Sequence, residues 1–449
     1  MIADVVANDL CIGCGVCVGA CPNQALGVSW NDTGFLTAQA TGNTCEGCGA
    51  CIKVCPFNPT PEARYENEDK LSELYLSEAS HDHRKIGRYT GLYAGYSNKH
   101  RETSSSGGIA TYIYEHLFDS GLIDHVVTVG ESTTTNAHFE YCIISNKDAL
   151  LSTSKTRYYP VTLAKALSAI KAVDGNVAVS GVACFIKALR LAQSYDPVLK
   201  SKITFLTGII CGGVKSRFFT EYLASKAGAG RHLENPQYRV KDSHSTASDY
   251  GFSCEDEMTK KVHFIKMSEV GDMWGTGMFK ANACDYCDDV TTELADVSLG
   301  DAWLDPYSQD GKGHNVVVTR SPLANEILQY GKASGELVLE DLSLDMFIAS
   351  QQGSFNHRHD GLAFRVNLAN SAGISVPPKR HTFARLPISL RFVQLARRTT
   401  RKKSLDTWQQ HRDAAAFDRR MKLLLLRLKL FTKVARGVRR LKKLMENKK

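Results

Sequence analysis

A small α+β module, an α/β body and a helical basic tail are what the sequence predicts, on three observations. Cysteines fall into two matching quartets within the first 60 residues. From about Gly91, short β-branched runs alternate with stretches whose apolar residues return every three to four positions. Lys and Arg crowd residues 385–449. At 449 residues the chain exceeds what one core usually holds, so several domains are expected. Hydrophobic content of 43% and charged content of 23% are ordinary for a globular protein and exclude disorder as the default.

Residues 1–10 carry Asp4 and Asp9 and lack a basic stretch followed by an apolar run. No apolar stretch approaches the roughly 20 residues that span a bilayer. The expectation is a cytoplasmic protein, soluble or peripheral on the inner face of the membrane. In a reducing compartment, fourteen cysteines point to metal or redox chemistry before disulfides.

The first module is residues 1–60. Positions 11–22 read CIGCGVCVGACP and positions 45–56 read CEGCGACIKVCP, each a Cys-x2-Cys-x2-Cys-x3-Cys-Pro run. Three closely spaced thiolates can take three corners of a 4Fe-4S cluster while the fourth reaches the other cluster. One cluster then takes Cys11, Cys14, Cys17 and Cys55, and the other takes Cys45, Cys48, Cys51 and Cys21. Gly13, Gly15, Gly47 and Gly49 let the backbone turn tightly between ligands. Zinc would favour two separated cysteine pairs per ion over a packed quartet ending in Pro. Residues 1–60 thus resemble a bacterial-type two-cluster ferredoxin. The full expectation is an α+β ferredoxin-like N-terminal module followed by an α/β body, with a helical basic C-terminal tail. Two clusters in series imply one-electron transfer.

Residues 61–90 turn polar and charged and read as a linker with one helix. In the body, HVVTVG, NVAVSG, ITFLTGIIC and NVVVTR read as strands, and IATYIYEHLF, LAKALSAIKAV, FIKALRLA and PLANEILQYG as helices. Ser104-Ser105-Ser106-Gly107-Gly108 precedes the first of these helices. Such a helix start suits a phosphate, and equally suits a plain serine cap with a tight glycine entry. Cys184 stands at a strand-to-helix turn, and Cys211 ends a strand before two glycines. The stretch NACDYCDDV adds Cys284 and Cys287. Singly each is weak, but four thiolates are what a further 4Fe-4S cluster needs.

SSSGGIA, SGVACFIKALR, IICGGV, ACDYCDDVTTELADVSLGDAW and GKGHNVVVT occur in this order. Together they resemble the family of hydrogenase/dehydrogenase beta subunits named for the deazaflavin coenzyme F-420, over roughly residues 88–350. The strongest element is Cys284-x2-Cys287 followed by Ala295-Asp296 and Gly300-Asp301. The resemblance implies that Cys184, Cys211, Cys284 and Cys287 hold a third, proximal 4Fe-4S cluster beside FAD. It implies that Ser106, Gly107 and Gly108 lie in the flavin site, with Lys155 and Tyr158 of SKTRYYP as further candidates. Residues 91–175 become the N-terminal, flavin-binding region of the beta subunit and residues 176–350 its C-terminal region with the proximal cluster; 351–384 is a connector and 385–449 the tail. Where relatives often have Pro-Cys-Gln, this chain has Ala183-Cys184-Phe185.

The functional expectation is an iron–sulfur flavoprotein oxidoreductase that takes electrons from a ferredoxin-like donor and passes them to an organic substrate. Its alternatives are an electron-transfer subunit of a larger complex, or an accessory redox protein of surface polysaccharide biosynthesis. Other features take plainer readings. Gly228-Ala229-Gly230 is expected to end a helix, Asp296 and Asp301 to support turns, and His314 to be exposed. Cys142 and Cys254 are expected to be ordinary thiols.

Residues 385–449 hold 21 Lys and Arg against 4 Asp and Glu, a net of +17; against the chain's +8, residues 1–384 therefore carry −9. In this tail Leu423, Leu426, Leu430, Val434, Val438, Leu441 and Leu444 fall on one helical face among basic residues. A membrane surface or an acidic protein partner is the expected target. Nucleic acid is not, because the apolar stripe is continuous and aromatics for stacking are few.

Overall fold

The structure, a computed structural model, describes residues 1–134, 136–380 and 386–446, with side chains described to residue 440. The body is built on one mixed eight-stranded sheet. Its strands are β1 (Gly91–Ser97), β2 (His125–Glu131), β3 (Phe139–Ile144), β4 (Val177–Val182), β5 (Ile203–Ile209), β6 (Val297–Asp301), β7 (Asn315–Thr319) and β8 (Leu337–Asp341). They lie in the order β8-β1-β7-β6-β5-β4-β2-β3. The centre, β6-β5-β4-β2, is parallel, and every pairing outside it is antiparallel. β1 pairs with β7 and β8, so residues from both expected halves of the body share this sheet.

The central strands are buried on both faces, and this explains their near-continuous apolar runs. Alternate side chains enter different layers. Val177 and Val179 pack with Ile186 and Leu189 of α3 (Ala183–Tyr195) and with Leu167 and Ile170 of an earlier helix, α2 (Ala164–Ala172). Ala178 and Phe205 face the other way, onto Ile109 and Ile113 of α1 (Ile109–Asp119). α4 (Arg217–Lys226) follows β5, and α5 (Pro322–Ser334) lies on the α1 side of the sheet. Beyond Lys226 the chain leaves the helix through Gly228 at φ +90°; Ala229 N–H donates to Ala224 O, which makes the glycine the helix stop its sequence predicts.

The N-terminal module has the hairpin Leu26–Trp30/Leu36–Ala40 and two short helices that restate its sequence repeat. Val16–Gly19 starts at Gly15 (φ +76°) and Ala50–Lys53 at Gly49 (φ +73°). The two halves differ in surroundings. A Cβ on Gly15 would strike Thr162 Oγ1 and Ala164 N at the start of α2, whereas one on Gly49 meets nothing. The first half is thus pressed against the body, and Leu163 N–H donates to Cys14 O at 2.8 Å. The second half faces solvent.

The linker forms a helix, Glu68–Tyr75, and a buried ion pair binds it to α3: Lys187 Nζ lies 3.0 Å from Glu68 Oε1, with the side chains 9% and 7% exposed. Lys187→Met would leave that carboxylate buried without its nearest cation. It should destabilise the chain by about 3–5 kcal/mol in urea unfolding, and adding Glu68→Gln should restore most of the loss.

The tail is a helical hairpin, α6 (Ile388–His411) and α7 (Ala414–Glu446). Trp408, Phe417 and Met421 are buried against Tyr222 of α4 and Phe279. Arg401 Nη2 donates to Asn282 Oδ1 (2.6 Å) and Ser404 Oγ accepts from Phe279 N–H (2.9 Å), so α6 braces the turn that carries Cys284.

Candidate functional site

The first cysteine group lines a small enclosed space. Cys11, Cys14, Cys17 and Cys55 surround it, with Ile2, Ala38 and Phe57 completing the wall. Burial pushes these thiols up, Cys14 to about 12, and neighbouring thiols push Cys17 and Cys55 further. Backbone amides of Gly13 and Ala38 at Cys11, of Val16 at Cys14 and of Phe57 at Cys55 act in the opposite sense. Thiols buried together that repel one another as anions, ringed by N–H donors, are a donor set for a polynuclear cation. Of the other four, Cys21 and Cys48 line one surface groove and Cys51 feels the charge of Cys21, while Cys45 and Cys48 are exposed. Among the described residues no three His, Cys, Asp or Glu side chains form a single-ion site.

The later cysteines are brought together by the sheet. β4 and β5 are neighbours with Val182 opposite Ile209, so Cys184 and Cys211 each stand two residues beyond a paired position. The 3-10 turn Asn282–Tyr286 delivers Cys284 and Cys287 to the same end. Val214 N–H donates to Cys284 Sγ and Gly213 N–H to Cys211 Sγ, both at 3.2 Å. Cys184 is raised well above its ordinary value by burial and then by the charges of Cys287, Cys284 and Cys211. Cys14 of the first group acts on it as well. The helix that carries Cys17 packs on α3, which carries Cys184, and Tyr141 lies within the field of both Cys184 and Cys14. Phe185 stacks on Tyr141 at 6.1 Å.

Arg358 completes this end of the sheet, and sequence reasoning missed it. It sits in a π-helical turn, Asn356–Asp360, within the stretch read as a connector. Its guanidinium is buried, donates to Cys211 O and Asp289 O, and lies 3.7 Å from Cys287 Sγ. NHRHD reads as polar surface in sequence. Only the π-turn reveals it as a buried cation beside thiols.

A cavity of about 1070 Å³ opens from the same strand ends, and Cys211 is part of its wall. That is the upper end of cofactor-sized sites. Ser106, Gly108, Lys155 and Tyr158 line it. Gly107 is not on the wall: a Cβ there would meet Gly95 O at 2.6 Å and Asn315 N at 2.8 Å, so strand packing accounts for it. Nor does a serine cap α1. Gly108 (φ +79°) is the cap residue, and Asn315 Oδ1 accepts from Ile109 N–H. The serines are thereby released for other uses. Ser105 Oγ accepts from Thr156 N–H at 2.9 Å, tying the turn to SKTRYYP, and Ser106 Oγ donates to His314 O at 3.1 Å.

Ser104 Oγ and Arg157 Nε, on residues of the cavity wall, are buried without hydrogen-bond partners among the described residues. Cations gather around this turn. Burial and Arg157 push Lys155 down, and burial, Lys155 and Arg101 push Lys241 down to about 8. Mutually depressed cations beside an orphaned hydroxyl suit an anionic group such as a phosphate. Further along, Tyr158 meets Trp274 edge-on at 4.8 Å, an apolar wall for a planar ring. Lys215, Arg239 and Trp274 also line the cavity and carry no local sequence signature.

Two expectations need correction. His314 is half-buried, not exposed: its ring lies between Tyr96 (5.2 Å) and Tyr307 (5.3 Å), and its Nδ1 is 3.2 Å from Arg101 Nη2, because the glycine-rich loop folds back on β1. Asp296 is structural, accepting from Leu206 N–H and pairing with Arg190. Asp301, in contrast, faces the cavity and pairs with Arg239 at 2.7 Å. Cys142 lies on β3, and Cys254 is buried in the separate strand Gly251–Asp256.

Comparisons with known proteins place family matches on the body and on the N-terminal module. Residues 92–168 and 174–344 match the profiles described as coenzyme F420 hydrogenase/dehydrogenase, beta subunit, N-term and C terminus. Residues 10–58 match a 4Fe-4S dicluster domain. The chain is 25% identical over 303 residues to one of the subunits of the F(420)H(2) dehydrogenase of Methanosarcina mazei, covering 67% of this chain and 77% of that one. It is 23% identical over 348 residues to the coenzyme F420-dependent sulfite reductase of Methanocaldococcus jannaschii, covering 72% of this chain and 46% of the relative, about half its length. Among solved structures it is similar to a chain of the F420-reducing [NiFe] hydrogenase complex from Methanosarcina barkeri, with TM-score 0.48 and 19% identity over 68% of this chain and 99% of that one.

Proposed function

This chain belongs to the family of coenzyme F420 hydrogenase/dehydrogenase beta subunits, with a 4Fe-4S dicluster domain ahead of it, and from that premise we propose that it is an iron–sulfur flavoprotein oxidoreductase acting on an organic substrate. The observation that carries the reading is the meeting of four late cysteines with a cofactor-sized cavity at one end of the sheet. Cys11, Cys14, Cys17 and Cys55 would hold one cluster, Cys45, Cys48, Cys51 and Cys21 a second, and Cys184, Cys211, Cys284 and Cys287 a third. The cavity would hold FAD, its phosphates near Ser104 and Lys155 and its ring system on the Tyr158–Trp274 side. When bound, the clusters supply single-electron transfer and the flavin two-electron chemistry.

The chain's own residues have distinct tasks in this reading. Arg239 fixes Asp301 at the wall. Lys215 holds a proton at Nζ: the ammonium donates to Met273 O (2.7 Å) and Met278 O (2.6 Å), and burial with Lys280 nearby pushes its pKa down to about 7. A ferredoxin-type donor would dock at the exposed half of the N-terminal module, near Cys45 and Cys48. The basic tail would serve as a docking segment, and its first helix, α6, also braces the Cys284 turn. Among the described residues no helix is long and apolar enough to cross a membrane.

Anaerobic reconstitution followed by iron, sulfide and flavin analysis tests the proposal. About twelve iron atoms and one flavin per chain are expected for three clusters. About eight iron atoms without flavin would sink the third cluster and the catalytic reading together. Mass analysis of the released flavin separates FAD from the deazaflavin. A second reading, an electron-transfer subunit of a larger complex, is favoured by the dehydrogenase relative, whose name makes it one subunit among several. Copurification of a stable large partner, with no turnover by the isolated chain, would select it.

A further inference from the structure

Among the described residues, the C-terminal hairpin leaves one face of α7 without a partner. Phe417, Met421, Leu428 and Ala435 point inward and are buried. On the opposite side Leu423, Leu426, Leu430, Val434 and Val438 are 77%, 53%, 58%, 52% and 46% exposed, a spacing of three, four, four and four that runs straight up the helix. Leu441 and Leu444 continue the spacing in sequence, but their side chains lie outside the described residues. The row widens onto the neighbouring helix. Phe392 of α6 touches Phe431 of α7 at 5.6 Å, and Ile388, Phe392 and Leu395 are themselves 69%, 49% and 41% exposed. Soluble surfaces rarely leave so contiguous an aliphatic patch uncovered without a use for it.

Charge narrows the choice of what covers it. α7 carries eleven Lys and Arg against Asp418 and Glu446, and no acidic residue falls between Arg419 and Met445. Asp418 is already taken by Tyr222 and Lys226. On a helical wheel Lys422, Lys429, Lys433 and Arg440 flank the apolar row on one side, and Arg420 and Arg427 flank it on the other. A second copy would bring these cations against one another, so self-association through this face is disfavoured. The row is convex, aliphatic and bordered by long basic side chains. The aromatic and Arg side chains at its edge, Phe392, Arg420 and Arg427, stand on the convex outer surface of the hairpin and not in the concave pocket that anchors a tight protein interface.

We propose that this face lies in the plane of an anionic lipid bilayer, with the aliphatic row dipping into the acyl boundary and the flanking Lys and Arg on lipid phosphates. Binding rests on the tail alone and not on the redox assignment.

The test uses the full chain and vesicle sedimentation. Phosphatidylcholine vesicles containing phosphatidylglycerol should retain the protein about tenfold or more better than pure phosphatidylcholine, with retention falling as salt rises. The variant Leu426→Glu/Leu430→Glu/Val434→Glu, altered only at exposed positions, should lose retention while keeping its circular dichroism and metal content. Wild-type protein left in the supernatant with anionic vesicles would overturn the proposal, as would a triple variant that still sediments like wild type. So would soluble polyglutamate that displaces the protein as effectively as lipid, which would point to an acidic protein. Sedimentation of wild-type protein without vesicles would instead reveal a second copy as the occupant.

Discussion

Cys284→Ser is expected to lose about four of about twelve irons and leave the remaining eight in place. The thiol is buried, accepts Val214 N–H at 3.2 Å and lies beside Lys280 and Arg358, so a serine fits the space but offers a harder, shorter and poorly ionised donor. The two N-terminal groups draw no ligand from the body and should keep their spectra and iron. Cys142→Ser, on β3, is the control and should retain all of it. Iron analysis with low-temperature electron paramagnetic resonance of the reduced protein reads both variants. Full iron in Cys284→Ser would falsify the ligand assignment of the four later cysteines.

Arg358→Gln should have the next largest effect. The guanidinium donates to Cys211 O and Asp289 O and is the cation nearest Cys287 Sγ. Its loss takes a charged donor from the Cys211 and Asp289 carbonyls and removes a positive charge from beside the thiols. Outer partners of this kind typically change metal affinity about 10–100-fold, so iron at this site should yield to a chelator that much sooner. The reduction potential of the same site should fall, since a nearby cation favours the more negative, reduced state. Arg358→Lys keeps the charge but not the planar fork; it should preserve most of the potential and recover little of the chelator resistance. A purely mechanical role for Arg358 would leave the potentials of both variants where the wild type has them.

What sequence could show about this molecule follows the range of the interactions. The N-terminal groups are local, with ligands and turning glycines inside one short segment, and so were legible from spacing. The central strands were legible for a similar reason: β4 and β5 are largely covered on both faces and announce it as near-continuous apolar runs. The flanking pairings are non-local, since β1 meets β7 and β8 across more than two hundred residues, and no residue pattern in Gly91–Ser97 records the choice. The cavity was half legible. Ser106, Gly108, Lys155 and Tyr158 lie on its wall, yet its cationic character also comes from Arg239, contributed by a distant strand. Ser104–Ser106 were ambiguous between cap and ligand site because the deciding fact, Gly108 taking the cap position, is a backbone angle. Arg358 was hidden because burial of a polar run depends on what packs over it.

The placement of the cysteines also sets an order of maturation. Those of the N-terminal module lie between residues 11 and 55 and leave the ribosome together, free to be loaded while most of the chain is still unmade. The later four become neighbours only after β4 and β5 have paired and the turn at Asn282–Tyr286 has docked, and Arg358, which donates to Cys211 O, is made later still. A nascent or truncated chain ending before that arginine should therefore be half-finished in a specific way, with its N-terminal thiols filled and its central thiols still open to oxidation. Damage during production should concentrate there.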